Sequence, residues 1–368
     1  MAAAYQDTAL LETVSKLGIP DLLARSDAGL TAAEIAEFIA SDAGLIERVM
    51  LACVSRDVFR VVRASPTEEH RGDASSYTVR FANSALSALL RQDHPTSLKA
   101  RVGTQADTVR SSWRALPAYL ANPAGPLAWE LANPEFPVAE GGFWARLRAQ
   151  PEAQRQFADA MRTVDALGGP AMLADSPFNT REGASPRFTR VVDVGGGQGQ
   201  FLHRVLAGSA GKTVRGVLVD LEPVVQLARH AWTDGPFASA ADRVEFRVGS
   251  FFEPRDVPRA EPRGDAYVLR NILHDWSDAD AVAILRTVRA AIGDADATLV
   301  IGDYPIPDRD DALGPPEVYA KDLSMMILFG GVERTPAHTD ALLADAGFER
   351  VALYPTRTLF RWIEARPV

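Results

Sequence analysis

The sequence predicts an α/β protein in which a doubly wound, mostly parallel sheet follows a mainly helical first domain. Three observations lead to this fold class. In much of the first 100 residues, apolar residues recur at helical spacing, and two short β-like runs follow. From residue 187 onward, strands rich in Val, Leu and Ile alternate with helices, which is typical of a parallel sheet covered on both faces. The first of those strands leads directly into the glycine-rich turn 195–199.

Composition narrows the class of protein. The net charge of −9 repels a phosphate backbone, so we expect no nucleic-acid partner. The sequence contains no run of about 18 apolar residues, so no membrane span is predicted. The first residues lack the pattern of a signal peptide. Cys53 is the only cysteine, so we expect a buried, inert thiol and no disulfide within the chain. A soluble, cytoplasmic protein is the expected result.

The first 100 residues are expected to form a winged-helix-like domain. Thr31 and Glu34 make a capping-box pattern at the start of one helix, and another helix is predicted over about 42–56. Two β-like runs, 58–62 and 77–81, follow, joined by the polar stretch 65–76. Such domains often bind DNA, but this one holds 10 Lys and Arg against 13 Asp and Glu, a net charge of −3. A DNA-reading helix needs a basic face, so residues 1–100 are predicted to mediate dimerisation instead.

Residues 101–185 are predicted to be a helical connecting region, and residues 186–368 an α/β domain. A polar, proline-containing stretch, 179–186, separates them. Five strands are predicted after it, over residues 188–194, 214–221, 243–248, 266–273 and 298–304. Two closing runs, 349–354 and 358–364, are short and nearly adjacent. We therefore expect an antiparallel hairpin at the edge of the sheet.

The glycine turn 195–199 is typical of a nucleotide-type site, because it joins a buried strand to a helix at the first position of the predicted sheet. Glycine tolerates positive φ and lets a ligand approach the backbone closely. A dinucleotide fingerprint would need glycine at position 200, where the chain has Gln200, and this disfavours NAD. Asp193, two residues before the turn, is placed to receive an ammonium group of the ligand through water or a neighbouring amide.

The next two strands end in residues that strengthen this interpretation. Asp220 ends the second strand, 21 residues after Gly199, where the acid that binds both ribose hydroxyls is expected. The alternative role for Asp220 is a cap of the following helix. The third strand ends in the segment 249–252, whose aromatic residues can flank an adenine.

Five segments, taken in their order and spacing, resemble the caffeate/hydroxyindole-type O-methyltransferases, a family of plant phenylpropanoid and bacterial polyketide-tailoring enzymes. They are residues 191–199, 219–221, 248–252, 273–277 and 330–335. The resemblance covers nearly the whole chain, from the winged-helix start to the closing hairpin. It implies a Rossmann-like catalytic domain that binds S-adenosylmethionine, methyl transfer to a phenolic or polyketide hydroxyl of a small molecule, and an intertwined homodimer built by the first domain.

By the same resemblance, residues at the ends of the predicted strands would contact the cofactor: Gly195, Gly197, Asp220, Leu221, Ser250, Phe251 and Arg270. The glycines would line the methionine part, and the acid with its neighbour the ribose. The serine and the phenylalanine would meet the adenine, and the arginine would lie near the carboxylate or sulfonium end. The family commonly has Asp where this chain has Ser250, so a shorter and neutral side chain would face the adenine.

His274 is the candidate general base. Methyl transfer from a sulfonium is a direct displacement, so the enzyme has to place the acceptor and remove its proton. A phenol has a pKa of about 10, and an imidazole with a pKa of about 6.5 can take that proton as attack proceeds. His274 follows the strand 266–273, at the edge where α/β sheets bind ligands, although it could instead cap the helix that begins near Ser277. The resemblance implies two orienting acids, Glu333 and Asp303, the second where the family often has the longer Glu.

The resemblance also implies an acceptor pocket lined by Phe157, Met161 and Met326, with Trp144 as a further candidate. No two histidines have metal-ligand spacing, so we expect no metal.

Two other functions stay open. A protein of the same fold that has lost methyl transfer could use the bound cofactor for decarboxylation or hydroxylation. A winged-helix protein could also be a ligand-sensing regulator.

Overall fold

The structure is a computed structural model that describes residues 4–63, 79–179, 185–208, 213–308 and 313–368. Helices and one small hairpin form the first part of the chain. The helices are α1 (Ala4–Lys16), α2 (Ile19–Leu23), α3 (Ala32–Ile39), α4 (Ala43–Val54), α5 (Ala85–Ala88) and α6 (Lys99–Thr104). Strands β1 (Phe59–Arg63) and β2 (Val79–Asn83) pair antiparallel, as expected of the wing. The polar stretch 65–76 that was predicted to join them lies outside the described residues.

Local signals in the first part act as predicted. Glu34 donates its backbone N–H to the Thr31 hydroxyl, and the Glu34 carboxylate accepts the Thr31 backbone N–H, which is a capping box at the start of α3. Cys53 is fully buried on α4, among apolar side chains such as Ile35 and Met50. Burial raises the pKa of the Cys53 thiol to about 11, so the thiol is unreactive at neutral pH.

The described residues that follow form the helices α7 (Arg110–Ala121), α8 (Ala128–Ala132), α9 (Gly142–Ala149) and α10 (Pro151–Ala174). The chain divides into two compact units, Met1–Arg110 with Arg155–Thr163, and Ser111–Gln154 with Val164–Val368. One stretch of α10 thus belongs to the first unit and the rest of the helix to the second. The division into three domains at residues 100 and 185 stays a prediction. In the part of the chain described here, no helix is long and apolar enough to cross a membrane.

A seven-stranded sheet organises the second unit. Its strands are β3 (Arg190–Val194), β4 (Arg215–Asp220), β5 (Val244–Val248), β6 (Arg263–Arg270), β7 (Asp296–Asp303), β8 (Phe348–Pro355) and β9 (Arg361–Pro367). They lie in the order β5-β4-β3-β6-β7-β9-β8. Strands β3 to β7 are parallel, and β9 is antiparallel to both β7 and β8. The order reverses between β3 and β6, and ligands of open α/β sheets bind at such a point, at the carboxyl ends of the strands.

Five helices accompany the sheet: α11 (Gln200–Ala207), α12 (Glu222–Thr233), α13 (Asp278–Ile292), α14 (Pro316–Phe329) and α15 (Pro336–Asp345). The central strand β3 is buried at every position, which explains its unbroken apolar pattern. Two apolar cores result, one containing buried residues of α13 and the other buried residues of α11 and α12. The sheet is therefore covered on both faces, as predicted.

Several strand ends differ from the sequence prediction by a few residues, and two of them have a clear local cause. Strand β6 ends at Arg270 rather than residue 273, because Asn271 adopts a left-handed conformation with φ of 55°. A single turn of 3₁₀ helix, Leu273–Asp275, follows. Strand β9 begins at Arg361 rather than residue 358, because the Thr356 hydroxyl donates to the Phe360 carbonyl at 2.7 Å and closes a turn there. The predicted hairpin is otherwise present at the edge of the sheet.

Candidate active site

The glycine turn after β3 leaves an open surface beside a buried acid. Gly195 has φ of +73°, and a Cβ there would come within 2.5 Å of the Ile272 Cδ1 atom. Gly197 has φ of +62°, but the nearest atom to its would-be Cβ is 3.9 Å away. Asp193 is only 2% exposed, and no described residue donates a hydrogen bond to its Oδ2 atom. An unpaired buried carboxylate oxygen beside an open turn fits a ligand with an ammonium group.

Asp193 belongs to a buried cluster of charges. Arg270, at the end of β6, lies with its Nη1 3.3 Å from Oδ1 of Asp165, and Arg204 donates to the other oxygen of Asp165 at 2.8 Å. Burial raises the pKa of Asp193 to about 7; Arg270 opposes this shift, and Asp220 and Asp165 add to it. Arg270 is thus placed at the predicted edge of the sheet. Asp165 was not predicted from the sequence, where its one signal is an acid within an otherwise apolar stretch of α10.

Asp220 joins the ends of β3 and β4. Its Oδ2 accepts the Gly197 backbone N–H at 2.8 Å, and its Oδ1 accepts the Leu221 backbone N–H at 2.7 Å. Burial raises the pKa of Asp220 to about 6, against the two backbone donors. No side chain caps the start of α12, so the helix-cap alternative is not what the structure shows. Each carboxylate oxygen keeps a further lone pair, which suits two neighbouring hydroxyl groups.

The turn after β5 carries the residues predicted to meet an adenine. The Phe251 ring lies against the glycine turn, 3.4 Å from where a Cβ on Gly195 would stand. The Ser250 hydroxyl accepts the Phe252 backbone N–H at 3.2 Å, and its own backbone N–H donates to Asp256 at 2.9 Å. The hydroxyl is therefore used within the turn. The ring is well placed to flank a flat ligand, whereas a direct contact from Ser250 to adenine stays a prediction.

The loop 330–335 packs directly on the turn that carries His274. The Val332 backbone N–H donates to the His274 carbonyl at 2.9 Å. A Cβ at Gly331 would overlap that same carbonyl oxygen, so only glycine allows the loop to come this close. This contact places the next residue, Glu333, beside the imidazole.

Arg334 then clamps the turn. Its guanidinium donates to the carbonyls of Leu273 at 2.6 Å and Trp276 at 2.7 Å, and to the Asp278 carboxylate at 2.9 Å. Thr335 accepts the N–H of His338 and so caps α15. The three residues of the Glu-Arg-Thr segment thus have separate tasks: contact with the imidazole, support of its turn and the start of the next helix.

His274 is buried between carboxylates. Its Nδ1 lies 2.8 Å from Oε1 of Glu333 and 3.4 Å from Oδ1 of Asp303, and its Nε2 lies 3.5 Å from Oδ1 of Asp275. Glu333 is fully buried, and the Lys321 ammonium lies 3.1 Å from its Oε1. The structure therefore brings together the candidate base and both candidate acids predicted from the sequence, with Glu333 the nearer. His274 lies on the 3₁₀ turn and does not cap α13, which Ser277 does.

The carboxyl groups around His274 differ in how far they are ionised near neutral pH. Burial and the Lys321 ammonium would lower the pKa of His274, but Glu333, Asp275 and Asp303 outweigh them, and the pKa lies above its usual value. Burial would raise the pKa of Glu333, yet His274 and Lys321 hold it below its usual value. Burial raises the pKa of Asp303 to about 7. Near neutral pH, Glu333 is the ionised partner of the imidazole, and Asp303 is partly protonated.

Lys321 and Asp275 are site residues that the sequence analysis missed. Lys321 interrupts an apolar stretch of α14, and Asp275 stands directly after His274, so each had a weak local signal. In the described ranges, no three His, Cys, Asp or Glu side chains are placed to hold a metal ion.

An aromatic cluster lies on α8, α9 and the end of α14. The Trp144 ring stacks on Phe329, with centroids 5.6 Å apart, and Phe143 meets Phe329 edge-on at 5.1 Å. Met326 is partly buried one turn before the end of α14. Phe157 and Met161 are partly buried on the stretch of α10 that belongs to the first unit. That all of these residues line one pocket stays a prediction.

Comparisons with known proteins agree with this geometry. A family model described as an O-methyltransferase domain matches residues 129–349, and one described as an O-methyltransferase dimerisation domain matches residues 1–93. The chain belongs to the O-methyltransferase family. Among curated members, 8-amino-8-demethylriboflavin N,N-dimethyltransferase of Streptomyces davaonensis is 34% identical over 97% of this chain and 91% of its own length. O-demethylpuromycin-O-methyltransferase of Streptomyces alboniger is 31% identical over 99% of this chain and 87% of its own length.

A solved structure supports the same fold. Human N-acetylserotonin methyltransferase, determined in complex with S-adenosylmethionine, is 22% identical, with a TM-score of 0.81 over 100% of this chain and 95% of its own. The comparisons confirm the predicted O-methyltransferase family, the Rossmann-like sheet, the N-terminal helical dimerisation domain, the enzyme class and the cofactor. The roles of individual side chains stay predictions.

Proposed function

We propose that this O-methyltransferase transfers a methyl group from S-adenosylmethionine to a hydroxyl of an aromatic small molecule, with His274 as the general base. The observation that carries the proposal is the contact of 2.8 Å between His274 and the fully buried Glu333, on a turn at the ligand-binding edge of the sheet. The relative from Streptomyces alboniger, named as an O-methyltransferase for O-demethylpuromycin, supports a hydroxyl acceptor.

The residues at the strand ends fit the cofactor. The unpaired Oδ2 of Asp193 suits its ammonium group, and Arg270 suits its carboxylate. Asp220 offers two oxygens for the ribose hydroxyls, and Phe251 offers a flat surface for the adenine. S-adenosylmethionine supplies a methyl group on a sulfonium sulfur, which keeps the electron pair of the S–C bond when the acceptor oxygen takes the methyl.

His274 manages the proton that the acceptor loses. The ionised Glu333 holds a proton on Nδ1, which leaves the lone pair of Nε2 to accept the hydroxyl proton. The imidazolium formed in this step is stabilised by the same carboxylate. A positioned base of this kind contributes roughly 10²- to 10⁴-fold in rate.

The test is His274→Ala, assayed with labelled S-adenosylmethionine and a panel of phenols. We expect kcat to fall by about 10²- to 10⁴-fold, since the base is lost, while the Kd of the cofactor by calorimetry stays within about threefold. His230→Ala, at an exposed histidine of α12, is the matched control and should leave kcat unchanged. Full activity of His274→Ala, or loss of its cofactor binding, would contradict the role.

N-methylation is a second candidate, because the relative from Streptomyces davaonensis, 34% identical, is named as an N,N-dimethyltransferase. A neutral aromatic amine attacks through a free lone pair and does not need to lose a proton first. Its methylation would therefore survive His274→Ala, whereas methylation of a phenol would not. Pairing each phenol of the panel with its amino analogue separates the two functions.

We further propose that the enzyme is a cytoplasmic homodimer that acts on small molecules and binds no nucleic acid. The match to a dimerisation domain supports the dimer. So do large apolar side chains of the first unit that are about half exposed: Phe38 52%, Leu45 55%, Leu51 45% and Leu86 52%. The net negative charge of residues 1–100 argues against a DNA-binding role for the same domain.

A further inference from the structure

Lys321 lies next to the candidate base, at a position that methyl transfer itself does not require. Its Nζ is 3.1 Å from Oε1 of Glu333, the same oxygen that lies 2.8 Å from Nδ1 of His274. The ammonium also lies 4.6 Å from the centre of the Tyr304 ring.

The groups around His274 are mostly acidic. Asp275 comes from its own turn, Asp303 from the end of β7 and Glu333 from the loop after α14. Asp322 on α14 accepts the backbone N–H of Glu333 at 2.9 Å. Among the residues that the structure describes, the cations that face this group are Lys321 and the clamping guanidinium of Arg334, which binds backbone carbonyls of the turn. Three carboxylates near one imidazole favour its protonated form, and a protonated imidazole cannot act as a base.

We propose that Lys321 limits how strongly the surrounding carboxylates hold a proton on His274, so that the imidazole is available as a base near neutral pH. The proposal rests on the general-base role described above. Lys321 shares one oxygen of Glu333 with the imidazole, and its positive charge opposes a second positive charge on the ring. It is a positioning residue that acts through Glu333 and does not touch the acceptor. The opposing effects of Lys321 and the carboxylates on the pKa of His274 agree with this arrangement.

The test compares the pH dependence of kcat/KM for Lys321→Met, Lys321→Arg and the unchanged enzyme between about pH 5.5 and 9.5. Lys321 and the imidazole lie against the same oxygen of Glu333. Loss of a like charge within about 4–6 Å raises the pKa of an imidazole by about one to three units, and the 29% exposure of Lys321 favours the lower end. We expect the acid limb of the kcat/KM profile of Lys321→Met to move to higher pH by about one pH unit. Activity at pH 6 then falls about tenfold, and activity at pH 9 stays within about twofold.

The controls separate charge from structure. Lys321→Arg keeps the charge and should keep the wild-type acid limb. Lys16→Met, at an exposed lysine paired with Glu12 on α1, should change nothing. Lys321→Gln is a second neutral variant should the methionine disturb packing. NMR titration of the His274 ring, assigned by its loss in His274→Ala, should show the same upward shift without any turnover.

Two outcomes distinguish failure of the Lys321 proposal from failure of the general-base role. An unmoved acid limb and an unmoved His274 titration in both neutral variants would overturn the role of Lys321. An acid limb that persists in His274→Ala would instead contradict the general-base role on which the proposal rests.

Discussion

Replacing Glu333 with glutamine removes a charge from the site while keeping its shape. Glu333 is fully buried, and its Oε1 lies 2.8 Å from Nδ1 of His274. A glutamine oxygen can still accept the Nδ1 proton, so the ring keeps its orientation. It cannot offset the positive charge that the imidazole gains when it takes the acceptor proton. Lys321 loses an ionic partner, but its partial exposure lets water replace that partner.

The size of the effect follows from this contact. A hydrogen bond to a charged group contributes about 1.5–3 kcal/mol, and each 1.36 kcal/mol is about tenfold in rate. We therefore expect Glu333→Gln to lower kcat by about 10- to 150-fold. Because Glu333 raises the pKa of His274, its removal should also move the acid limb of the pH profile to lower pH, by about one unit. Lower activity at neutral pH together with a limb at lower pH is the expected signature.

The measurement is kcat against pH, with cofactor affinity by calorimetry and a thermal melt to show that the variant folds. Asp303→Asn is the control: its carboxylate is 3.4 Å from the imidazole, and burial raises its pKa to about 7, so it is only partly charged at pH 7. We expect its loss in kcat to stay below about tenfold. The reasoning is refuted if Glu333→Gln keeps full kcat, or if its acid limb moves to higher pH.

Two predictions concern the cofactor site. Gly195→Ala should weaken cofactor binding by at least about tenfold in calorimetry, because its φ of +73° is unfavourable for alanine and the added Cβ meets Ile272 at 2.5 Å. Gly293→Ala, also at positive φ but with nothing within 4 Å, should lose stability without losing affinity; equal affinity in both variants would contradict the reasoning. Asp220→Asn should weaken binding by about 10- to 150-fold at pH 7.5. Since the pKa of Asp220 is raised to about 6, the unchanged enzyme should bind more weakly as the pH falls below 6, and a variant that keeps this full dependence would exclude Asp220 as its source.

The parts of the site that could be predicted from the sequence are those that follow a strand directly. Asp193, the glycine turn and Asp220 end neighbouring parallel strands, whose carboxyl ends meet at one edge of the sheet. The apolar pattern of β3 and β4 identifies the two strands. The polar residues lie at the ligand-binding edge because they stand at the ends of those strands. His274 follows the same logic, although a left-handed Asn271 moves it from the strand to a separate turn.

The parts that could not be predicted come from helices. Asp165 on α10 and Lys321 on α14 reach the site only because those helices pack at its edge, and helical spacing does not reveal which polar side chain faces inward. Exact strand ends are also set by local turns, as the hydroxyl of Thr356 shows at the start of β9. Such turns depend on side-chain hydrogen bonds that have no periodic pattern.

The site divides into two sets of contacts that should fail separately. The residues proposed for the cofactor are held by strand ends and by the hydrogen bond that the Gly197 backbone N–H donates to Asp220. The base is held by a different device, the loop 330–335, through the contact of Val332 with the His274 carbonyl and the three hydrogen bonds of Arg334. No residue of that loop is proposed to touch the cofactor. Damage to the loop should therefore reduce kcat while cofactor affinity persists, and this separation would assign support of His274 to the loop and cofactor binding to the strand ends.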